Sequence, residues 1–219
     1  MRFVDRSHAG RELAARLRGQ VEPPAVVLAL PRGGVPVGLE IAKALGCPLD
    51  LVMVRKIGAP GQPELALAAV ANGGEPELVV NEEVRRMTGA DDAYLAREKQ
   101  RELEVIARRR ARYLADRPPA RVEGAAAIVV DDGIATGATM RAALRAVRRK
   151  RPREVILAVP VAPPDTLERL REEADRIVCL HTPSWFMAVG QFYEDFHQTS
   201  DEEVVAALRE APPAAEERG

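Results

Sequence analysis

Residues 128–139 read Ile-Val-Val-Asp-Asp-Gly-Ile-Ala-Thr-Gly-Ala-Thr, and no other stretch constrains the fold as tightly. A β-branched run, Ile128 to Val130, ends in two adjacent carboxylates, Asp131 and Asp132. A short turn then presents Thr136, Gly137 and Thr139 at the start of a helical stretch over 140–150. A continuous apolar strand running through a turn into a helix is the building unit of a parallel sheet covered on both faces. Each part also has a chemical use. Free backbone N–H groups at a helix N-terminus bind phosphate, and Thr hydroxyls add donors. Gly137 lets the backbone approach an anion closely. Two carboxylates at a strand's carboxyl end can hold sugar hydroxyls or a hydrated Mg²⁺. The segment has neither the Gly-Lys-Ser/Thr of a Walker loop nor the Gly-x-Gly-x-x-Gly of a dinucleotide binder. Together these features describe a site for a phosphorylated, hydroxylated sugar.

The rest of the chain repeats the strand–helix alternation. Periodicity predicts a helix over 7–18, a strand over 25–30, a helix over 35–45 stopped by Gly46, and a strand over 49–54. After the strand over 125–130 come strands over 154–159 and 176–180, with a helix over 165–174 between them and a last helix over 201–209. The implied fold class is α/β, a parallel sheet with helices on both faces, built by right-handed crossovers. Its ligand site lies beyond the strand carboxyl ends. Residues 57–115 are too long for a plain crossover and read as an insertion. Its first part, 57–75, is rich in Gly and Pro and is expected to be mobile, with 65–70 able to form a hairpin with 77–80. Its second part, 82–114, reads as charged helix broken at Thr88-Gly89. Leu95, Leu103, Ile106, Tyr113 and Leu114 form an apolar stripe there that must bury against the hood side of its own subunit or a second copy, so a homodimer is one expectation. One domain over 1–209 and a disordered tail over 210–219 complete the organisation.

Composition narrows the partners. Hydrophobic residues make up 47% of the chain, enough for a full core, and a net charge of −1 gives no global pull toward nucleic acid or anionic lipid. The basic runs at Arg108-Arg109-Arg110 and from Arg145 to Arg153 read as solvated helix faces. No window approaches the ~20 apolar residues of a membrane span, and the N-terminus carries no leader pattern. Cys47 and Cys179 sit in apolar surroundings without metal spacing, so they read as buried thiols in a reducing, cytoplasmic setting.

The segment 128–139 resembles the phosphoribosyl pyrophosphate (PRPP) signature of type I phosphoribosyltransferases: four apolar positions, two acids, two loose positions, then Ala-Thr-Gly-x-Thr. The resemblance implies that Asp131 and Asp132 contact the ribose hydroxyls and that Ala135, Thr136, Gly137, Ala138 and Thr139 wrap the 5′-phosphate. Members acting on 6-oxopurines usually carry an acid where this chain has Ala135, which argues against that substrate. The family also has a pyrophosphate loop after the first strand, often with a non-proline cis peptide. Pro31-Arg32-Gly33-Gly34 stands there, with any cis bond expected within 31–33. Arg32 is suited to gripping phosphate oxygens, and the two glycines to leaving N–H groups open. Arg55-Lys56, read as the end of the second strand, recurs as a basic position, and Lys56 is assigned with Arg32 to the leaving pyrophosphate. Gly58 to Pro63 resembles the start of the flexible loop that closes over PRPP. Residues 181–199 resemble the small hood over the nucleobase, with Trp185 and Phe186 as stacking candidates.

Two functions follow. The first is Mg²⁺-dependent transfer of the 5-phosphoribosyl group from PRPP to a nitrogenous acceptor, with pyrophosphate released. Mg²⁺ would arrive with PRPP and meet Asp131 and Asp132. The second is a non-catalytic PRPP or nucleotide sensor on the same scaffold.

Overall fold

The computed structural model describes residues 2–71, 76–115 and 117–213. Along the chain run α1 (Arg6–Leu17), β1 (Ala25–Ala29), α2 (Gly34–Leu45), β2 (Leu49–Leu51), β3 (Val54–Ala59), β4 (Gln62–Ala71) and β5 (Glu77–Val80). Then follow α3 (Glu82–Thr88), α4 (Asp92–Leu114), β6 (Ala126–Val130), α5 (Ala138–Arg148), β7 (Glu154–Val161), α6 (Pro164–Leu170), β8 (Arg176–His181) and α7 (Asp201–Glu210). The main sheet has the order β2-β1-β6-β7-β8, and every neighbouring pair is parallel.

Alternation along the central strands builds two cores. Val27, Ala29, Ile128 and Val130 face one way and pack with α1, α2, α4 and α7. Val26, Leu28, Ala127 and Val129 face the other way and pack under α5 with Met140, Leu144 and Val147. All eight of these strand residues are buried, which is why the segments read as continuous apolar runs. The helix after β1 and the helix after β6 therefore leave the sheet on opposite faces. A crevice opens between the two strand ends, at the switch point where such sheets bind ligands. Leu30 donates its N–H to the Val130 carbonyl at 2.9 Å, so the loop after β1 and the acids after β6 start side by side.

Two expectations are corrected in the insertion. The predicted strand over 49–54 stops at Leu51, and Arg55 and Lys56 lie in β3 of a separate antiparallel sheet, β3-β4-β5. The stretch expected to be an irregular mobile loop is a paired hairpin from Val54 to Ala71. Its Pro and Gly residues serve that hairpin. Pro60-Gly61 occupies the turn between the paired Ala59 and Gln62, and Gly61 has φ 71°, the chemistry of a tight Pro-Gly turn. Gly58 sits at a register shift, where a side chain would lie 2.4 Å from the Pro63 carbonyl. The hairpin anticipated between 65–70 and 77–80 is present as β4 and β5. Residues 72–75 of the expected mobile stretch lie outside the described residues.

The helical part breaks at Gly89 (φ 66°) as the sequence predicts. Leu95, Ile106, Tyr113 and Leu114 of α4 are buried within the chain, where α4 packs on β3 and α7. Arg55 Nε bonds Glu102 at 2.6 Å and Tyr94 Oη donates to the Gly58 carbonyl at 2.9 Å, fastening hairpin to helix. The stripe thus finds its cover intramolecularly, and a second subunit is not needed to bury it. The basic runs form ion pairs between elements: Arg110 with Asp50, Arg148 with Asp175, Arg149 with Glu77. At the tail, Ala211 is buried and the Pro212 carbonyl accepts from Arg117, so 211–212 pack on the fold. Residues 214–219 lie outside the described residues. Among the described residues no helix is long and apolar enough to cross a membrane.

Candidate functional site

The site is built where β1 and β6 end. After Val130 the chain presents Asp131 and Asp132, both only partly exposed. The Asp131 carboxylate accepts the backbone N–H of Asp132 at 2.9 Å. Asp132 Oδ2 pairs with Arg6 Nε at 2.7 Å, with the two side chains 14% and 9% exposed, so water screens this contact poorly. Burial, and then the charge of Asp132, push the Asp131 carboxyl well above the usual carboxylate range. Burial raises Asp132 too, against the opposing pull of Arg6. Two crowded acids held by one cation form a receptor for hydroxyl donors or a further cation.

The loop after β1 presses against this pair. Its Pro31–Arg32 peptide bond is cis, inside the window expected from the sequence. A Cβ on Gly33 would lie 2.1 Å from Asp132 Oδ2, and one on Gly34 would lie 2.7 Å from the Val130 carbonyl. Both glycines are therefore required by close approach. The Gly34 N–H already donates to the Leu30 carbonyl at 3.0 Å, so it is not open to an anion as the sequence reading supposed. The Arg32 guanidinium lies 3.8 Å from Asp201, which also receives Tyr113 Oη at 2.5 Å and pairs with Arg112. Arg32 is thus steered by the start of α7 rather than by the acid pair.

On the far side of the acids, Ala135, Thr136 and Ala138 are exposed at the start of α5. Gly137 takes φ 83°, which L side chains rarely adopt, and a Cβ there would meet Thr166 at 2.9 Å. Thr166 Oγ1 donates to the Ala135 carbonyl at 2.8 Å and in turn accepts from Arg169 at 3.0 Å. A small cavity of ≈190 Å³ lies here, lined by Thr136, Gly137, Arg141, Thr166 and Arg169. Helix N–H groups, hydroxyls and guanidinium groups around such a space suit a phosphate group. Lys56 approaches from the antiparallel sheet and shares a larger cleft with Thr136, Ala138 and Arg141. Its place near the loop 135–139 comes from β3, not from the end of the second strand.

The hood over 181–199 is anchored through its aromatics. Tyr193 is buried, lies 5.5 Å from the Phe3 ring, and donates its hydroxyl to the Asp132 carbonyl at 2.6 Å. Phe196 stacks on Tyr193 at 5.0 Å, and the Arg6 guanidinium lies 4.0 Å above the Phe196 ring while also bonding the His197 carbonyl. Phe186 stacks on Phe192 at 5.4 Å, whereas Trp185 is 68% exposed. Of the two stacking candidates, the structure uses Phe186 for packing and leaves Trp185 on the surface. Sequence reasoning did not find Arg6, Tyr193 or Phe196. A single Arg five residues into the chain carries no motif, and its partner lies 126 positions away.

The chain is 47% identical over 209 residues to two Mycobacterium tuberculosis proteins, "Putative phosphoribosyl transferase Rv0571c" of strain H37Rv and "Putative phosphoribosyl transferase MT0597" of strain CDC 1551. The match takes in 95% of this chain and 47% of each relative, so the chain spans about half the length of these curated relatives. Among solved structures, TT1426 from Thermus thermophilus is 50% identical and superposes with a TM-score of 0.82, over 96% of this chain and 99% of that one. A family model described as phosphoribosyl transferase domain matches residues 5–197, from the helix that supplies Arg6 through the hood, and the chain belongs to that family.

Proposed function

We propose that the protein transfers the 5-phosphoribosyl group of PRPP to a nitrogen nucleophile of nucleobase type and releases pyrophosphate. The observation that carries this reading is the convergence at one crevice of the acid pair, the α5 N-terminus and the glycine loop packed against the acids. In this reading the loop 135–139 holds the 5′-phosphate and the acid pair takes the ribose hydroxyls. Arg32, the Gly33 backbone and Lys56 receive the pyrophosphate. The bond from ribose C1 to the pyrophosphate oxygen breaks with its electron pair on the leaving group. The acceptor nitrogen supplies the pair for the new bond and sheds its proton to solvent. The protein's part is positioning and charge stabilisation of an oxocarbenium-like state. Trp185 is available to stack on an acceptor ring.

The residues present fit Mg²⁺ bound jointly with substrate. Among the described residues no three His, Cys, Asp or Glu side chains gather into a cage. Mg²⁺, however, commonly takes one or two carboxylates and completes its shell with water and substrate phosphates. Asp131, crowded by burial and by its neighbour, is the kind of carboxylate such a cation relieves. When bound, the ion would neutralise charge on the pyrophosphate. The test is pyrophosphate release from Mg-PRPP across a panel of purines, pyrimidines and simple amines. Release with at least one acceptor is expected, and lost in Asp131→Asn. PRPP binding by calorimetry without product from any acceptor would overturn the transfer and leave a sensor.

A further inference from the structure

Beside the loop 135–139 lies a cleft of ≈650 Å³ between α5, the face of β4 and β5, and α3. Roughly 300–1,000 Å³ is the range of small-molecule sites. Its walls divide into two chemistries. Leu65, Val79 and Val84, all half-buried, make one side apolar, whereas Lys56, Thr136 and Arg141 bring two cations and a hydroxyl to the end that meets α5. The acid at the rim, Glu82, has a side chain 66% exposed, so water screens its charge. Among the described residues Arg141 is held only by long contacts, 3.8 Å to Glu173 and 3.4 Å to the Arg169 carbonyl, so its guanidinium can turn to an anion without breaking a close pair. A polar ligand alone would leave the apolar wall in water, and an apolar one would leave the cations unused.

We propose that this cleft binds an amphipathic organic phosphate, its phosphate at Lys56, Thr136 and Arg141 and its apolar body against β4, β5 and α3. Because Lys56 and Thr136 also belong to the proposed PRPP site, the occupant and PRPP exclude one another; this exclusion, though not the binding itself, rests on the PRPP reading. The cleft would then let an apolar phosphate regulate access to the phosphoribosyl site.

The probe is 1-naphthyl phosphate, compared with inorganic phosphate and 1-naphthol by calorimetry on the full chain. One equivalent is expected to bind, at least about tenfold more tightly than either half alone. Val84→Asp and, on a different element, Val79→Asp should each weaken it by about tenfold or more, with melting temperatures verifying the fold. Arg141→Glu should do the same from the charged end. Trp185→Ala, on the hood, should leave it unchanged. Loss of binding in Trp185→Ala with none in the cleft variants would place the naphthyl group under the hood and overturn the proposal, as would equal affinity for inorganic phosphate. PRPP should displace the probe. Simultaneous, independent binding of both would refute the exclusion. A chain that binds the probe but not PRPP refutes the transferase reading alone, and one that binds PRPP but not the probe refutes the cleft alone.

Discussion

Replacing Asp131 by Asn should stabilise the protein near neutral pH while removing PRPP binding. The Asp131 carboxyl is raised well above the ordinary range, first by burial and then by Asp132. A carboxyl whose folded-state pKa exceeds its unfolded value favours folding at low pH. That contribution is lost as pH rises from the unfolded value, about 3.9, through the folded one. Each pH unit in that window costs about 1.4 kcal/mol, so the cost at neutral pH cannot exceed about 4 kcal/mol. Asn has the same shape and can still accept the Asp132 N–H now received at 2.9 Å, without ionising. A gain in stability below that ceiling is therefore expected, read as roughly 2–4 °C in melting temperature per kcal/mol for a chain of this size. The assay is scanning calorimetry of both proteins near neutral pH and at about pH 4, where the gain should vanish. PRPP calorimetry is run alongside. A variant that melts lower than the parent at neutral pH, or a difference independent of pH, would refute the reasoning and make Asp131 a structural acid.

Three further outcomes are expected. Gly33→Ala places a methyl 2.1 Å from a carboxylate that Arg6 holds in place. It should cost about 1–3 kcal/mol and abolish pyrophosphate binding, as read by melts and calorimetry. Arg6→Ala leaves Asp132 buried without its cation and should cost about 3 kcal/mol at neutral pH, with a smaller loss at low pH where the acid protonates; equal losses at both pH values would contradict this. A crystal grown in high sulfate should hold the anion against the loop 135–139, and a well-ordered loop with its N–H groups turned away would count against the phosphate assignment.

The main sheet and the heart of the site can be read from the chain without its fold. The strand over 126–130 and the helix that follows it were legible because their signals are local: a β-branched run, paired acids, a Thr-Gly turn, then helical periodicity. The cis bond at Pro31–Arg32 fell where the family resemblance placed it. Single-position chemistry was less decisive. Pro60, Gly61 and Pro63 read as breakers, yet a Pro-Gly pair can end a loop or turn a hairpin. Only pairing with β4, a non-local contact, made them a turn and a bulge. The same holds for Lys56, which reaches the loop 135–139 because a second sheet folds over α5. The stripe on α4 demanded a partner that periodicity could not name, and tertiary packing supplied β3 and α7. Arg6 is the sharpest case. Its ion pair with Asp132, its contact with Phe196 and its bond to the His197 carbonyl join the first helix to the acids and the hood. A buried ion pair between residues so far apart leaves no periodicity or spacing in the chain, because the attraction that offsets its desolvation needs a close geometry that exists only once the sheet has formed.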